Sequence, residues 1–171
     1  MNVKYPFTST FLDYPDNESI AVLVYFMGCE QNCKGCHNPD FKNVDYNIGT
    51  KNLSEDSIIE EIEIQCKRNL TNKVVLSGGD PLHPANINGV KNILDKIGMK
   101  YDFCLYTSYE KCYIIESKIS GFSFVKSGIF IEDLYQEPDK TDEYMKFASK
   151  NQKLYDADLN LISENGIYFF R

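Results

Sequence analysis

The sequence predicts an α/β fold with a mostly parallel sheet, in a single domain that spans residues 1–171. Two observations predict it. Short apolar runs rich in β-branched and aromatic residues alternate with segments of helical periodicity, which is typical of βα units. The first run, residues 19–26, is continuous and not alternating, as expected of a parallel strand buried on both faces.

The elements before and after this strand are predicted from local signals. Residues 1–18 are polar and mixed, and we expect an irregular lead-in. A helix is predicted over residues 54–66, because Ser54 is a good N-cap and acidic residues in the first turn suit the helix dipole. Its apolar stripe consists of Ile58, Ile59, Ile62 and Cys66.

The second half repeats the alternation of strand and helix. The predicted strands are residues 73–77, 102–107 and 123–126, with a further candidate at 129–131. The predicted helices are residues 86–97, with an apolar face of Val90, Ile93, Leu94 and Ile97, and residues 109–117. The last residues, 159–171, indicate a hairpin around Asn165-Gly166.

Composition argues against several function classes. The net charge is −7 and no dense run of lysine or arginine occurs, which disfavours a nucleic acid partner. No stretch approaches the ~20 apolar residues that a membrane-spanning helix needs, and the amino terminus has no apolar signal core. We therefore expect a cytoplasmic protein with no membrane partner, whose six cysteines do not form disulfides.

Three of the cysteines, Cys29, Cys33 and Cys36, follow the first strand with the spacing C-x3-C-x2-C. Three thiolates on one loop can hold three irons of a [4Fe-4S] cluster and leave the fourth iron open to a small molecule. A structural zinc site completed by His37 or a distant cysteine is one alternative. A ferredoxin-like electron carrier is another, although ferredoxins typically have a different spacing and a fourth cysteine.

A glycine pair follows the second strand, in the string Gly78-Gly79-Asp80-Pro81. Glycine lets a backbone approach a ligand closely and adopt positive φ, and Asp80 can accept hydrogen bonds from an ammonium group. A simple turn is the alternative. Because chemistry gathers at the carboxyl ends of parallel strands, this segment is expected at the same edge of the sheet as the cysteines.

The cysteine spacing and the glycine pair together resemble the radical S-adenosylmethionine superfamily. The string Leu76-Ser-Gly-Gly-Asp-Pro-Leu-His-Pro-Ala-Asn86 looks like the anaerobic ribonucleotide reductase activating proteins, which are glycyl radical enzyme activases. Other segments that are similar to this family are residues 36–39, 105–109, 127–134 and 149–152. The chain departs from the family at residues 14–17, where Gly-Pro-Gly is usual, and at Ser127, where the family has Asp.

The resemblance implies an open, incomplete (β/α) barrel of about five to six mostly parallel strands, the radical SAM fold. It implies a [4Fe-4S] cluster bound by Cys29, Cys33 and Cys36. S-adenosyl-L-methionine would be held by Gly78, Gly79 and Asp80.

The implied reaction is hydrogen abstraction from a glycine of a large class III anaerobic ribonucleotide reductase, the partner. One electron from the cluster would cleave S-adenosylmethionine to give the radical that takes the hydrogen. Flavodoxin or ferredoxin would supply electrons, and no side chain of the chain need act as acid, base or nucleophile.

Other residues have weaker links to the cofactor. Thr107 and Ser108 could contact the adenosine hydroxyls or satisfy local backbone. Asn38 could hydrogen-bond the adenine or cap the loop. Lys126 could face the cofactor carboxylate, although the sequence favours a solvated lysine. Two alternative functions stay open: another small radical SAM enzyme such as a 7-carboxy-7-deazaguanine synthase, and a zinc-binding module without enzymatic activity.

Overall fold

The computed structural model describes residues 1–16 and 20–170, and its main feature is a sheet with a parallel centre. The strands are β1 (Asn2–Lys4), β2 (Thr8–Thr10), β3 (Ala21–Phe26), β4 (Thr50–Asn52), β5 (Lys73–Gly78), β6 (Asp102–Thr107), β7 (Phe124–Ser127), β8 (Asp139–Lys140), β9 (Tyr144–Lys146), β10 (Lys153–Asp156) and β11 (Ile167–Phe169). The main sheet has the order β10-β7-β6-β5-β3-β1-β4, with β2 also paired to β3. A second, smaller sheet has the order β11-β9-β8.

The predicted α/β class with a mostly parallel central sheet is confirmed, but the number of parallel strands is not. Among the described residues only the adjacent strands β3, β5, β6 and β7 run parallel, fewer than the five or six predicted. The candidate strand at residues 129–131 is irregular, since Gly128, with a φ of +112°, ends β7. The chain then returns as β10, antiparallel to β7, and the sheet is not closed.

The two ends of the chain contain short strands. Residues 1–18, predicted to be irregular, include β1 and β2, which both pair antiparallel with β3 in the described part. Strands of three residues are too short to produce a readable alternation. At the other end the chain turns at Asn165 and Gly166, which have φ values of +50° and +71°, and β11 then pairs with β9. Residues 17–19, where the first predicted strand was expected to begin, and residue 171 lie outside the described residues.

Three helices cover one face of the main sheet: α1 (Glu55–Asn69), α2 (Ile87–Ile97) and α3 (Lys111–Ser117). The backbone N–H of Ser57 donates to the Ser54 hydroxyl oxygen at 3.1 Å, which confirms the predicted N-cap. The predicted apolar face of α2 is buried, and that of α1 is buried except for Ile59, which is partly exposed. Ile58, Ile62 and Ile93 are fully enclosed. No described helix is both long and apolar enough to cross a bilayer.

The opposite face of the sheet carries the alternate residues of the parallel strands. Leu23, Val75 and Cys104 form a small cluster there with Tyr14, and the half-buried Tyr106 packs against it. Cys104 is fully buried in this cluster. Because strand side chains alternate between faces, the next residues along these strands on this face lie at their carboxyl ends.

Candidate functional site

A cavity of about 380 Å³ opens at the carboxyl ends of the four parallel strands, on the face away from the helices. Every predicted site residue except Asp80 lies in its wall. These residues are Cys29, Cys33, Cys36, Asn38, Gly78, Gly79, Thr107 and Ser108. The structure therefore brings together motifs that are separated by up to about eighty residues in the sequence.

The base of the cysteine loop is fixed by backbone hydrogen bonds. The N–H of Gly28 donates to the Phe41 carbonyl at 2.7 Å, and the N–H of Cys29 donates to the Lys42 carbonyl at 3.1 Å. On the other side, the amide of Asn86 donates to the Met27 carbonyl at 2.8 Å. The loop thus starts from a rigid base on β3.

The donor set fits an iron–sulfur cluster. All three cysteines of the loop are free and half-buried around one cavity, and thiolates are the usual ligands of such clusters. Burial raises the pKa of the Cys29 thiol. Binding of iron would have to displace the thiol proton, because the thiolate is the form that ligates. Within residues 1–16 and 20–170, no three His, Cys, Asp or Glu side chains surround one metal-ion position. A cubane does not need that arrangement, because each thiolate binds a different iron.

The glycine pair packs closely against the cysteine loop. A Cβ placed on Gly79 would lie 2.4 Å from the Phe41 carbonyl oxygen and 2.5 Å from the Gly28 carbonyl oxygen. Gly78 has a φ of +117°, and a Cβ there would lie 2.4 Å from the Phe26 carbonyl oxygen. The glycines are therefore required for the approach of β5 to the backbone of the cysteine loop.

Asp80 is buried behind the cavity wall. Its carboxylate accepts hydrogen bonds from the Thr107 hydroxyl at 2.9 Å, from the Ser108 hydroxyl at 2.5 Å, and from the N–H groups of Ser108 and Leu82 at 2.8 and 2.9 Å. Burial raises the pKa of Asp80, while these hydrogen bonds act in the opposite direction. The network joins the end of β5 to the end of β6.

The two weaker candidates Thr107 and Asn38 both lie in the cavity wall, but only the Thr107 side chain also hydrogen-bonds local groups. Thr107 lines the cavity, and its hydroxyl bonds Asp80 and accepts from the Tyr109 N–H at 3.2 Å, so it also satisfies local groups. Asn38 precedes a short 3-10 helix, Pro39–Lys42, and its side chain makes no cap hydrogen bond. The cap interpretation of Asn38 is therefore wrong, and its side chain is left at the cavity wall.

Lys126, for which the sequence favoured a solvated position, is half-buried. It lies in the cavity wall, with its ammonium 4.3 Å from the centre of the Tyr106 ring and 5.4 Å from the centre of the Phe147 ring. Burial lowers its pKa to about 8, and the nearby Asp13 carboxylate partly opposes this. Lys126 lies two residues after Phe124 in β7, and Phe124 packs on the cavity face, so the period of two was the signal available.

Comparison with known sequences agrees with the donor set. Residues 18–155 match the family described as "4Fe-4S single cluster domain". The chain belongs to this family. The match includes all three cysteines, the glycine pair and the four parallel strands, and it covers every residue that lines the cavity except Leu12 and Asp13.

Curated relatives of this 4Fe-4S domain share one name. The chain is 26% identical over 129 residues to the anaerobic ribonucleoside-triphosphate reductase-activating protein of Vibrio cholerae serotype O1, covering 71% of this chain and 81% of the relative. It is 26% identical over 130 residues to the protein of that name from Escherichia coli K12, covering 72% and 82%. For the protein of that name from Enterobacteria phage T4, identity is 24% over 101 residues, covering 57% and 62%. The predicted resemblance to this family is confirmed.

Proposed function

We propose that this protein is a glycyl radical enzyme activase whose partner is an anaerobic ribonucleoside-triphosphate reductase. The names of the relatives and the 4Fe-4S family support an activating protein with an iron–sulfur cluster. The observation that carries the proposal is that the three cysteines share one cavity with Gly78 and Gly79.

When bound, the cluster would supply one electron for the reductive cleavage of S-adenosylmethionine to methionine, and the 5′-deoxyadenosyl group released by it would take a hydrogen atom from a glycine Cα of the partner. The protein's part is to bind, orient and exclude water. No side chain of the cavity is assigned a proton transfer.

Different residues of the chain bind the cluster and the cofactor. Cys29, Cys33 and Cys36 hold the cluster. The backbone of Gly78 and Gly79 bounds the space for the methionyl end of the cofactor. The buried charge of Asp80 lies behind that wall, where it favours an ammonium group electrostatically.

The remaining polar residues of the wall serve the other groups of the cofactor. Lys126 is a cation within the cavity and suits the cofactor carboxylate. Asn38, Thr107 and Ser108 offer hydrogen-bonding groups to the adenosine.

The unclosed sheet is compatible with a macromolecular substrate. A glycine on a partner's loop has to reach the cofactor in the cavity, and the cavity has an open side. Flavodoxin or ferredoxin as the electron donor and a cytoplasmic location stay predictions.

The test is anaerobic reconstitution with iron and sulfide, followed by reduction and addition of S-adenosylmethionine and the partner reductase. We expect a glycyl radical doublet in the electron paramagnetic resonance spectrum and stoichiometric 5′-deoxyadenosine. Cys33→Ala should abolish both. Cys112→Ala is the matched control, because Cys112 is exposed on α3 and outside the cavity wall, and it should retain both.

Two results would contradict the proposal. One is a reduced, cluster-containing protein that does not cleave S-adenosylmethionine. The other is cleavage with no radical on the reductase, which would favour a different radical SAM enzyme with a small-molecule substrate.

A further inference from the structure

The turn formed by residues 149–152 binds the backbone of the segment formed by residues 128–131. The Gln152 amide donates to the Gly128 carbonyl at 3.3 Å, and the Asn151 amide donates to the Ile129 carbonyl at 2.8 Å. The Ile131 N–H donates to the Ser149 hydroxyl oxygen at 3.4 Å. Three side chains of one turn thus hydrogen-bond backbone groups of three residues in the other segment.

This turn is itself preorganised. Its ends are joined by hydrogen bonds from the Gln152 N–H to the Ser149 carbonyl at 3.1 Å and from the Ser149 N–H to the Gln152 side-chain oxygen at 3.2 Å. Ser149 is fully buried and Gln152 is 9% exposed, so water competes little for these hydrogen bonds. Gly128 packs against the turn, since a Cβ placed on it would lie 3.6 Å from the Gln152 Cα.

The 128–131 segment in turn contacts the cysteine loop. The ring of Phe130 lies 5.3 Å from the ring of His37, the residue directly after Cys36. A Cβ placed on Gly35, the residue directly before Cys36, would lie 3.3 Å from the Phe130 ring. Directly after this segment, the Glu132 carboxylate pairs with the Lys34 ammonium at 2.6 Å. Cys36 is therefore bracketed on both sides by contacts to this segment.

We infer that the 149–152 turn positions Cys36 for cluster binding, acting through the 128–131 segment and the Phe130 ring. Gln152, Asn151 and Phe130 are positioning residues, and none of them ligates the cluster. The inference depends on the cysteine loop holding a cluster, but it does not depend on S-adenosylmethionine cleavage or on a partner reductase.

The test uses the full chain reconstituted with its cluster, without cofactor or partner. Phe130→Ala removes the ring contact, and Gln152→Glu keeps the acceptor for Ser149 but removes the donor to Gly128. An aromatic contact of this kind corresponds to a change of about two- to tenfold. We expect chelator-driven iron release to accelerate by about that factor in each variant. Lys150→Gln, an exposed position in the same turn, is the matched control and should release iron at the parent rate.

The decisive readout is the double variant together with the cluster's midpoint potential. If Gln152 acts through Phe130, adding Gln152→Glu to Phe130→Ala should produce no further change in the release rate. Removing the ring should let water reach the cluster and favour its more highly charged reduced form, so the potential should rise in Phe130→Ala. Phe130→Tyr should restore both values.

Two outcomes would overturn the inference. The first is an additive double variant. The second is a set of variants whose apoprotein melts earlier while iron release and potential stay at parent values, which is what a purely structural role predicts. If Gln152→Glu does not fold, the comparison of Phe130→Ala with Phe130→Tyr and the potential still decide the result. Neither outcome bears on the radical transfer proposed above.

Discussion

Replacing Lys126 by methionine should weaken binding of S-adenosylmethionine and, at the same time, stabilise the protein. A hydrogen bond between charged groups contributes about 1.5–3 kcal/mol. Removing the ammonium should therefore raise the dissociation constant by about ten- to 150-fold, at 1.4 kcal/mol per factor of ten. Methionine has an unbranched apolar side chain of similar reach and would place its end beside the Tyr106 and Phe147 rings, where the ammonium lies, so the cavity wall should be retained.

The stability gain follows from the lowered pKa of Lys126. Its pKa falls from 10.5 to about 8 in the folded protein, which corresponds to about 3 kcal/mol at 1.36 kcal/mol per pKa unit. The unfolded chain binds the extra proton between pH 8 and 10.5, so this cost is full below pH 8 and disappears as the pH rises through that window. Lys126→Met should therefore be more stable than the parent at pH 7, with the difference vanishing near pH 10.5.

The assay is titration calorimetry of the cluster-containing protein with S-adenosylmethionine and with its decarboxylated analogue. Lys126→Met should lose affinity for the former and keep its affinity for the latter, because only the former has the carboxylate. In the parent, affinity for S-adenosylmethionine should fall as the pH rises above about 8, because Lys126 of the cofactor-free protein becomes neutral there. Lys153→Met, an exposed lysine on β10, is the matched control. An equal loss for both ligands, or no loss for either, would refute the assigned role.

Three further predictions concern the cavity wall and the helix-side core. Gly79→Ala should prevent cluster retention, because the new Cβ would meet the Phe41 carbonyl oxygen at 2.4 Å; iron content after reconstitution measures this, and a parent-like value would contradict it. Asp80→Asn should cost about 1–3 kcal/mol of unfolding free energy, since an amide group would replace an acceptor of the Ser108 donors; denaturant titration checks this, with an unchanged midpoint as the contrary result. Ile93→Ala, at a fully buried position of α2, should cost about 2–5 kcal/mol in the same titration while leaving the pH dependence of cofactor affinity at its parent form.

The parallel centre of the sheet was predictable because its strands are apolar runs with clear ends. The predicted strand at residues 102–107 matches β6 to the residue. The predicted Ser54 cap and the apolar face of α2 depend on local patterns alone, and both are present. The meeting of the cysteine loop and the glycine pair follows from the rule that parallel strands bring their carboxyl ends to one edge.

The rest depends on contacts between distant parts of the chain. Three of the four donors around Asp80 belong to Thr107 and Ser108, which follow it by 27 and 28 positions. The sequence around Asp80 therefore gives no sign that its carboxylate joins two strands. To predict the orientation of Lys126, one must know which face of β7 meets the cavity. The strands β1 and β2 depend on hydrogen bonds to β3, and their own side chains leave no pattern.

The contact of Gly78 and Gly79 with the backbone of Phe26 and Gly28 has a consequence for how the site could change over evolution. The glycine pair and the backbone around the start of the cysteine loop are in direct contact, with no intervening side chain. A methyl group cannot be added to either glycine unless the facing backbone moves. We therefore expect sequence changes that alter substrate choice to accumulate in another part of the cavity wall, at Pro138, Asp139 and residues 145–148.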